Sequence, residues 1–469
     1  MTERRVRWWV LLLIALGVTA WVAPGFVMRA ARTGHLTADE PQYLMTAISL
    51  GEDLDLDISD ERTEQRFRDF HRGNLPMQET VRDDGRLVSP HDPLLPVYLA
   101  LPTLIGGWIG AKIALAALAG LLAAVLVWIA VVRFGLSTRA SVITVLAFAA
   151  GAPFAMYGTQ VYPELPAALV VALAVAALTG PLGRRGLLAT AACVIALPWL
   201  SVKYVPVAAA LAVLAAFMCR RRGGDTTGVA LFAGGLAGAG ALFLAAHQAW
   251  YGGWTVYASG DHFVGGELDV VGFSPNYPGR AIRLVGLLVD RDFGLAAWNP
   301  LYLLAVPALV LLLVRRPTGW PVLAVPLAVG WLNATFVALT MHGWWWPGRQ
   351  VVVVLPCAVL AVAWLAASNT YVLRTVAAVG AFGAAVFMWF VFEASVGDLR
   401  LVVTFEDTTN PLVQVWRVLL PDYRESSARD WILHAFWLAA LAGTALAIVR
   451  PRLASLRSRL VRIEMKEST

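Results

Sequence analysis

The chain returns again and again to apolar runs of nearly twenty residues, beginning with "WWVLLLIALGVTAWVAPGF" at 8–26. About 20 apolar residues in helical conformation cross the hydrocarbon core of a bilayer. Backbone polar groups in lipid must be satisfied within the protein, so such runs read as transmembrane helices. Composition agrees: 59% of the 469 residues are hydrophobic and 14% are charged, against about a quarter charged in soluble domains. The reading is an all-α polytopic membrane protein.

Apolar length places spans near 7–27, 111–133, 140–158, 163–180, 186–200, 204–219, 227–249, 295–314, 319–341, 350–367, 375–393 and 431–449. Arginine asymmetry orients them. Arg4, Arg5, Arg133, Arg139, Arg184, Arg185, Arg220–Arg222, Arg315, Arg316, Arg374 and the tail from Arg450 fall on one side, taken as cytoplasmic. The expectation is about twelve crossings with both termini cytoplasmic. The first apolar run is too long for a secretory h-region and has no small-residue cleavage site, so it reads as a retained helix. "PLLPVYLALPTLIGG" (93–107) is short and carries Pro96 and Pro102. Counted as a crossing it would invert the Arg-rich loops, so it reads as an interfacial or partly embedded helix.

The net charge of +6 sits in short interhelical loops, which argues against nucleic acid as a partner. Cys193, Cys219 and Cys357 lie within or at the ends of apolar runs, so neither a disulfide nor a thiolate metal site is expected. Three polar segments exceed simple connectors: 28–93, about 250–294 and about 394–430. Function is expected where they meet the helix ends.

In the first of them, "TADE" (37–40) matches a capping box. Thr37 would cap, Glu40 would reach back, and a juxtamembrane helix would run to about Leu50 with Gly51 as its stop. Capping alone is a sufficient explanation of Asp39 and Glu40. Other polar residues gather on the same side, however. "VSPHDPLLP" carries His91 and Asp92, "GTQVYPELP" carries Tyr162 and Glu164, "PWLSVKYVP" carries Lys203, and "HGWWWPGRQ" carries His342, Trp345 and Arg349. Each has an ordinary reading as a turn residue, a cap, a snorkelling lysine or an aromatic belt. Ionisable groups near membrane depth are costly unless paired or functional, and their convergence on one side points to a site. The acid run "EDLDLDISDE" (52–61) resembles a calcium loop through Asp53, Asp55 and Asp57 but lacks the Gly and Glu of an EF-hand. It reads as a solvated, partly capping turn. "RTEQRFRDFHR" (62–72) reads as a short basic helix, with Arg66, Arg68 and Arg72 facing headgroups or those acids.

The order of these features resembles the GT-C superfamily of integral-membrane glycosyltransferases. It is closest to the branch containing the protein O-mannosyltransferases and the lipid A aminoarabinose transferases. The Asp39-Glu40 pair after the first span, the "PHDPL" step into a surface helix, the span ending "VWIAVVRFG" and a carboxylate-bearing loop after the third span carry the likeness. It covers roughly residues 5–220, implying a conserved module at 1–220 and a variable module at 221–469. "GLLVDRDFGLAAWNPLYLL" and "WWWPGRQVVVVLP" are similar to bacterial members, implying a bacterial plasma membrane. The resemblance implies a polyprenyl-phosphate sugar donor and a lipid, glycan or protein acceptor on the non-cytoplasmic face.

By position, Asp39 would be the general base, Glu40 its neighbour and Glu164 the second carboxylate. His91, Lys203 and Arg349 would meet the donor phosphate, and Tyr43, Asp92, Tyr162, His342 and Trp345 would line the substrate. The Asp-Glu pair permits a divalent ion (Mg, Mn or Ca) but does not demand one, and no obligatory metal is expected. The alternative is a multi-span transporter or flippase of lipids or glycolipids. That reading calls for charges in mid-span and repeat symmetry.

Overall fold

The computed structural model describes residues 6–32, 34–260, 276–397 and 399–467, with side chains as far as Arg450. Arg4 and Arg5, and residues 261–275 of the second polar segment, lie outside the described residues. The architecture is helical, and the only β pairing among the described residues is isolated bridges. Helices α1 (Trp8–Val22), α2 (Glu40–Glu52), α3 (Ser59–Thr63), α4 (Leu94–Trp128), α5 (Thr138–Ala149) and α6 (Phe154–Tyr157) make the first part. They are followed by α7 (Glu164–Thr179), α8 (Arg184–Leu200), α9 (Val205–Arg221) and α10 (Thr226–Tyr251). Beyond these, the main helices are Ala305–Arg315, Trp320–Leu332, Leu355–Ser368, Thr370–Val396 and Ala428–Glu467.

Seven described helical segments are long and apolar enough to cross a bilayer: 8–27, 94–133, 202–221, 226–259, 320–337, 370–396 and 428–450. Four more apolar helices are shorter, at 138–149, 164–179, 300–315 and 352–368. The segments expected to span lie largely on helix, but 140–158 is broken at 150–153, 295–314 at Asn299, and 319–341 leaves helix after Val337. Apolar faces turned outward, such as Leu231 and Leu242 on α10 and Ile432 and Phe436 on the last helix, suit hydrocarbon rather than water. The protein is an all-α polytopic membrane protein.

The buried centre is α7, lined by small residues and packed against α4, α8 and Leu355–Ser368. Helix α1 lies along α4, where Thr19 donates to the carbonyl oxygens of Ala15 (2.8 Å) and Ala116 (3.2 Å). Such a hydrogen bond holds apolar helices together where no hydrophobic force can.

The 93–107 segment is not a straight extension of the following span. Helix α4 breaks at Gly106 and Gly107, and Gly107 adopts φ +58°, ψ −152°, a conformation open essentially to glycine. Beyond the break the chain turns back. Tyr98 donates to the Ala114 carbonyl at 3.1 Å, whereas one straight helix would separate those residues by about 24 Å. The limb 94–105 therefore folds against the span. It exposes Leu101, Leu104 and Ile105 outward and supports α2 on its other side.

The start of α2 departs from the expected capping box in one half. Glu40 does reach back, accepting the Thr37 amide at 3.2 Å. The N-cap position belongs to Asp39, whose side chain makes no cap hydrogen bond. The helix also runs past Gly51 to Glu52. It stops where Leu54 takes φ +63° and donates its amide to the Ser49 carbonyl at 3.0 Å. The turn is imposed by the chain's path rather than by glycine.

Candidate active site

Arg349 lies just before the 3-10 turn Val352–Val354. The preceding Gly348 has φ +86°, and a Cβ there would sit 2.7 Å from Leu295 Cδ2, so only glycine lets the chain turn the arginine inward. Its guanidinium donates to Asp39 Oδ2 at 2.6 Å and to Glu164 Oε1 at 3.0 Å. Lys203, in the 3-10 turn between α8 and α9, donates to the same Glu164 oxygen at 2.6 Å. Two carboxylates and two cations thus meet from four separate parts of the chain. The guanidinium also sits over the rings of Tyr162 (4.4 Å) and Trp345 (5.1 Å), a favourable cation–π arrangement.

A polar relay extends from Asp39. Gln78 Nε2 lies 3.3 Å from Asp39 Oδ1, and Gln78 Oε1 lies 3.2 Å from His91 Nε2. His91 stacks on Tyr43 with ring centroids 4.4 Å apart. Asp92 turns the other way, accepting the Val202 amide at 2.9 Å and meeting His247 Nε2 at 3.1 Å. The other ring nitrogen of His247 lies 2.8 Å from the Phe243 carbonyl and must donate to it. The Asp92–His247 contact therefore requires one proton between them. Asp92 holds the backbone beside Lys203 and reaches the cluster through position 202 rather than by its own carboxylate.

Electrostatics sort these groups. Burial pushes the Asp39 carboxyl upward, but Arg349, with help from His91 and Lys203, outweighs it and holds Asp39 at about 2. Burial lowers His91 to about 4, so at neutral pH its ring is an uncharged hydrogen-bonding group. Burial likewise raises Asp92 and Glu40. Arg349 is raised further above its ordinary value, because Asp39 and Glu164 outweigh its burial.

Of the residues expected from sequence, Asp39, Glu164, Lys203, Arg349, Tyr162, Trp345, Tyr43 and His91 are brought together, and Asp92 adjoins them. Glu40 is not presented to the cluster. Its Oε1 accepts the Val161 amide at 2.8 Å and its Oε2 the Thr37 amide, so it ties α2 to the loop entering α7. Each oxygen already accepts one amide, so a divalent ion shared with Asp39 would have to use their remaining lone pairs. His342 also lies apart: its Nε2 is 3.4 Å from Asp290 Oδ2 and its ring abuts Phe293. The backbone bend between 342 and 345 sends the two side chains to different places.

Sequence reasoning missed Gln78, Lys112 and His247. Lys112 is buried within α4 and acts electrostatically on Glu40. Lys112 and His247 carried a usable signal, since an ionisable residue inside an apolar run is functional or paired by default. Gln78 carried none.

The cluster is not saturated. Glu164 Oε2, Tyr162 Oη and Tyr204 Oη are buried and have no hydrogen-bond partner among the described residues, which is uncommon unless a site has something to bind. Nearby, a cavity of about 740 Å³ is lined by Leu50, Leu94, Val97, Ile195, Trp199 and Trp250, with Arg86 and Asp57 at its polar side. It lies on the Asp92–His247 side and shares no lining residue with the cluster: Pro93 follows Asp92, and the Trp199 ring lies 5.4 Å from that of His247. No family model, curated protein or solved structure matches the chain.

Proposed function

We propose that the chain is a membrane glycosyltransferase that moves a sugar from a polyprenyl-phosphate donor to an acceptor hydroxyl, with inversion. In this reading the chain crosses the bilayer about twelve times, with both termini cytoplasmic and the cluster on the outer face. The observation that carries it is the meeting of Asp39, Arg349, Glu164 and Lys203, drawn from distant parts of the chain; an apolar cavity on the Asp92–His247 side could take a lipid tail.

Such a transfer needs two things: a base for the acceptor proton and cations for the departing phosphate. Asp39 is the base. The acceptor oxygen bonds to the anomeric carbon as its proton passes to Asp39, and the bond from that carbon to the phosphate oxygen breaks with its electron pair. Arg349 and Lys203 take up the charge released on the phosphate, with charge-assisted hydrogen bonds. Glu164 holds both cations in place. A carboxylate at about 2 is a weak base, and donor binding cures this. A phosphate that draws Arg349 toward itself leaves Asp39 less stabilised as an anion and more basic. The donor thereby switches on the base.

The test is transfer from a labelled lipid-phosphate sugar by purified protein. Asp39→Asn is expected to remain folded and to lose at least about 10³-fold in rate, within the range of general-base removal. Full activity of that variant would sink the assignment. The alternative reading, a lipid or glycolipid transporter, draws on Lys112 buried in a span. Transport of labelled lipid by proteoliposomes without any glycosyl transfer would replace the proposal with it.

A further inference from the structure

We propose that Asp53, Asp60 and Glu61 form a calcium site that joins the end of α2 to the start of α3. This proposal is independent of the transferase reading. One carboxylate oxygen from each residue lies within 4.8 Å of the others. Asp53 is the C-cap of α2, while Asp60 and Glu61 stand in the first turn of α3.

Glu61 is the decisive member. It is 2% exposed, and its Oε2 has no hydrogen-bond partner among the described residues. The attraction of acids to a helix start accounts for Asp60 and Glu61 in that turn. It does not account for burying one of them against two other carboxylates. A buried carboxylate without a counter-charge is expensive, and the two nearest arginines do not supply one. Arg62 is directed to Glu79 and to the carbonyl oxygens of Leu75 and Pro76. Arg66 grips Glu52 with both guanidinium nitrogens, at 2.6 and 2.8 Å. Neither arginine pairs with Glu61, and a cation from solution would supply the counter-charge in place of the proton that Glu61 and Asp60 can share.

The donor set identifies the ion. Three carboxylates and no nitrogen or sulfur favour a hard divalent cation. Calcium binds oxygen at about 2.3–2.6 Å with loose geometry, so ligands across the ion stand about 5 Å apart. Magnesium demands a tighter octahedron, with opposite ligands about 4 Å apart. Oxygens within 4.8 Å of one another can all reach a calcium ion at those distances, and two exposed acids with one buried one suit its looser geometry. Of the acids a linear motif would select, Asp53 contributes and Asp55 and Asp57 do not. Asp55 Oδ1 accepts from Ser49 Oγ and the Asp57 amide, and Asp57 Oδ1 accepts from Ser59 and the Leu87 amide. Those two build the turn, and the flanking acids are left facing one another.

Full-length protein in detergent, stripped with EGTA, provides the test. Equilibrium dialysis with radioactive calcium is expected to give one ion per chain. The thermal midpoint is expected to rise by several degrees with calcium, and by less with equimolar magnesium. Glu61→Gln removes the buried charge, so in EGTA it should be at least as stable as the unsubstituted protein while losing the calcium response. Asp60→Asn, at an exposed position, should weaken binding at least tenfold. Absence of any calcium-dependent shift, or an equal shift in Glu61→Gln, overturns the proposal. So does a response to magnesium that matches or exceeds the response to calcium.

Discussion

Two Arg–Asp clusters in this molecule use the same chemistry to opposite ends. Both carboxylate oxygens of Asp290 and of Asp430 are doubly engaged. Asp290 accepts the amides of Asp292, Phe293 and Tyr423 and meets His342. Asp430 accepts from Arg291, the Asp422 amide and both donors of Ser427. Around Arg349, by contrast, one Glu164 oxygen carries both cations while the other has no partner, as do two tyrosine hydroxyls. A satisfied network fixes loops and has nothing left to offer. An unsatisfied one at the same burial retains the capacity to bind. Unmet hydrogen bonds, rather than the presence of charge, separate the two clusters.

Substitutions can break this comparison. The largest effect should follow Arg349→Ala, which removes the phosphate partner and leaves Asp39 and Glu164 without their shared counter-charge. Transfer should fall at least about 10³-fold, measured as turnover of purified protein. Arg349→Lys should recover little, because a compact ammonium lacks the planar, fixed spacing with which the guanidinium fork meets both carboxylates. Asp430→Ala should instead cost about 3 kcal/mol of stability by stranding several donors, read as a lower thermal midpoint. The turnover of the folded fraction should stay the same. Loss of turnover there would erase the distinction between the clusters.

Acid sharpens it further. Asp39 is held at about 2 against an ordinary 3.8. A depressed carboxylate stabilises the fold above its unfolded value, and that contribution is lost as pH falls through its folded value. About 2 kcal/mol should therefore disappear between about pH 4 and pH 2. Asp39→Asn should lack this component when unfolding is followed across that range, and an identical acid profile would contradict the ion pair. The smallest effect is expected of Gln78→Ala, which cuts the relay between His91 and Asp39. A loss of about tenfold in turnover, about 1.4 kcal/mol, with little change in midpoint would fit a positioning role.

Much of this was legible in the chain. Apolar length decides helices in lipid, and the expected spans lie largely on helix, seven of the described segments being long enough to cross. Asp39, Glu164, Lys203 and Arg349 were legible because charge is rare in such a chain and because these residues fall at the same ends of spans. The rest depended on tertiary geometry. That Glu40 clamps a loop while its neighbour Asp39 faces the cluster follows from a Val161 amide 121 residues away. That Trp345 reaches Arg349 while His342 does not depends on a bend of three residues. Gln78 is one polar loop residue among many until the fold sets it between His91 and Asp39.

The folded-back limb of α4 has a mechanical consequence. Its first residues follow directly from His91 and Asp92, and its face of Leu101, Leu104 and Ile105 is turned outward. Pinned to its own span by the Tyr98–Ala114 hydrogen bond and packed against α2 on its other side, it acts as a strut under the His91–Asp92 step. The break at Gly107 is what lets one helix serve as both the span and its own buttress.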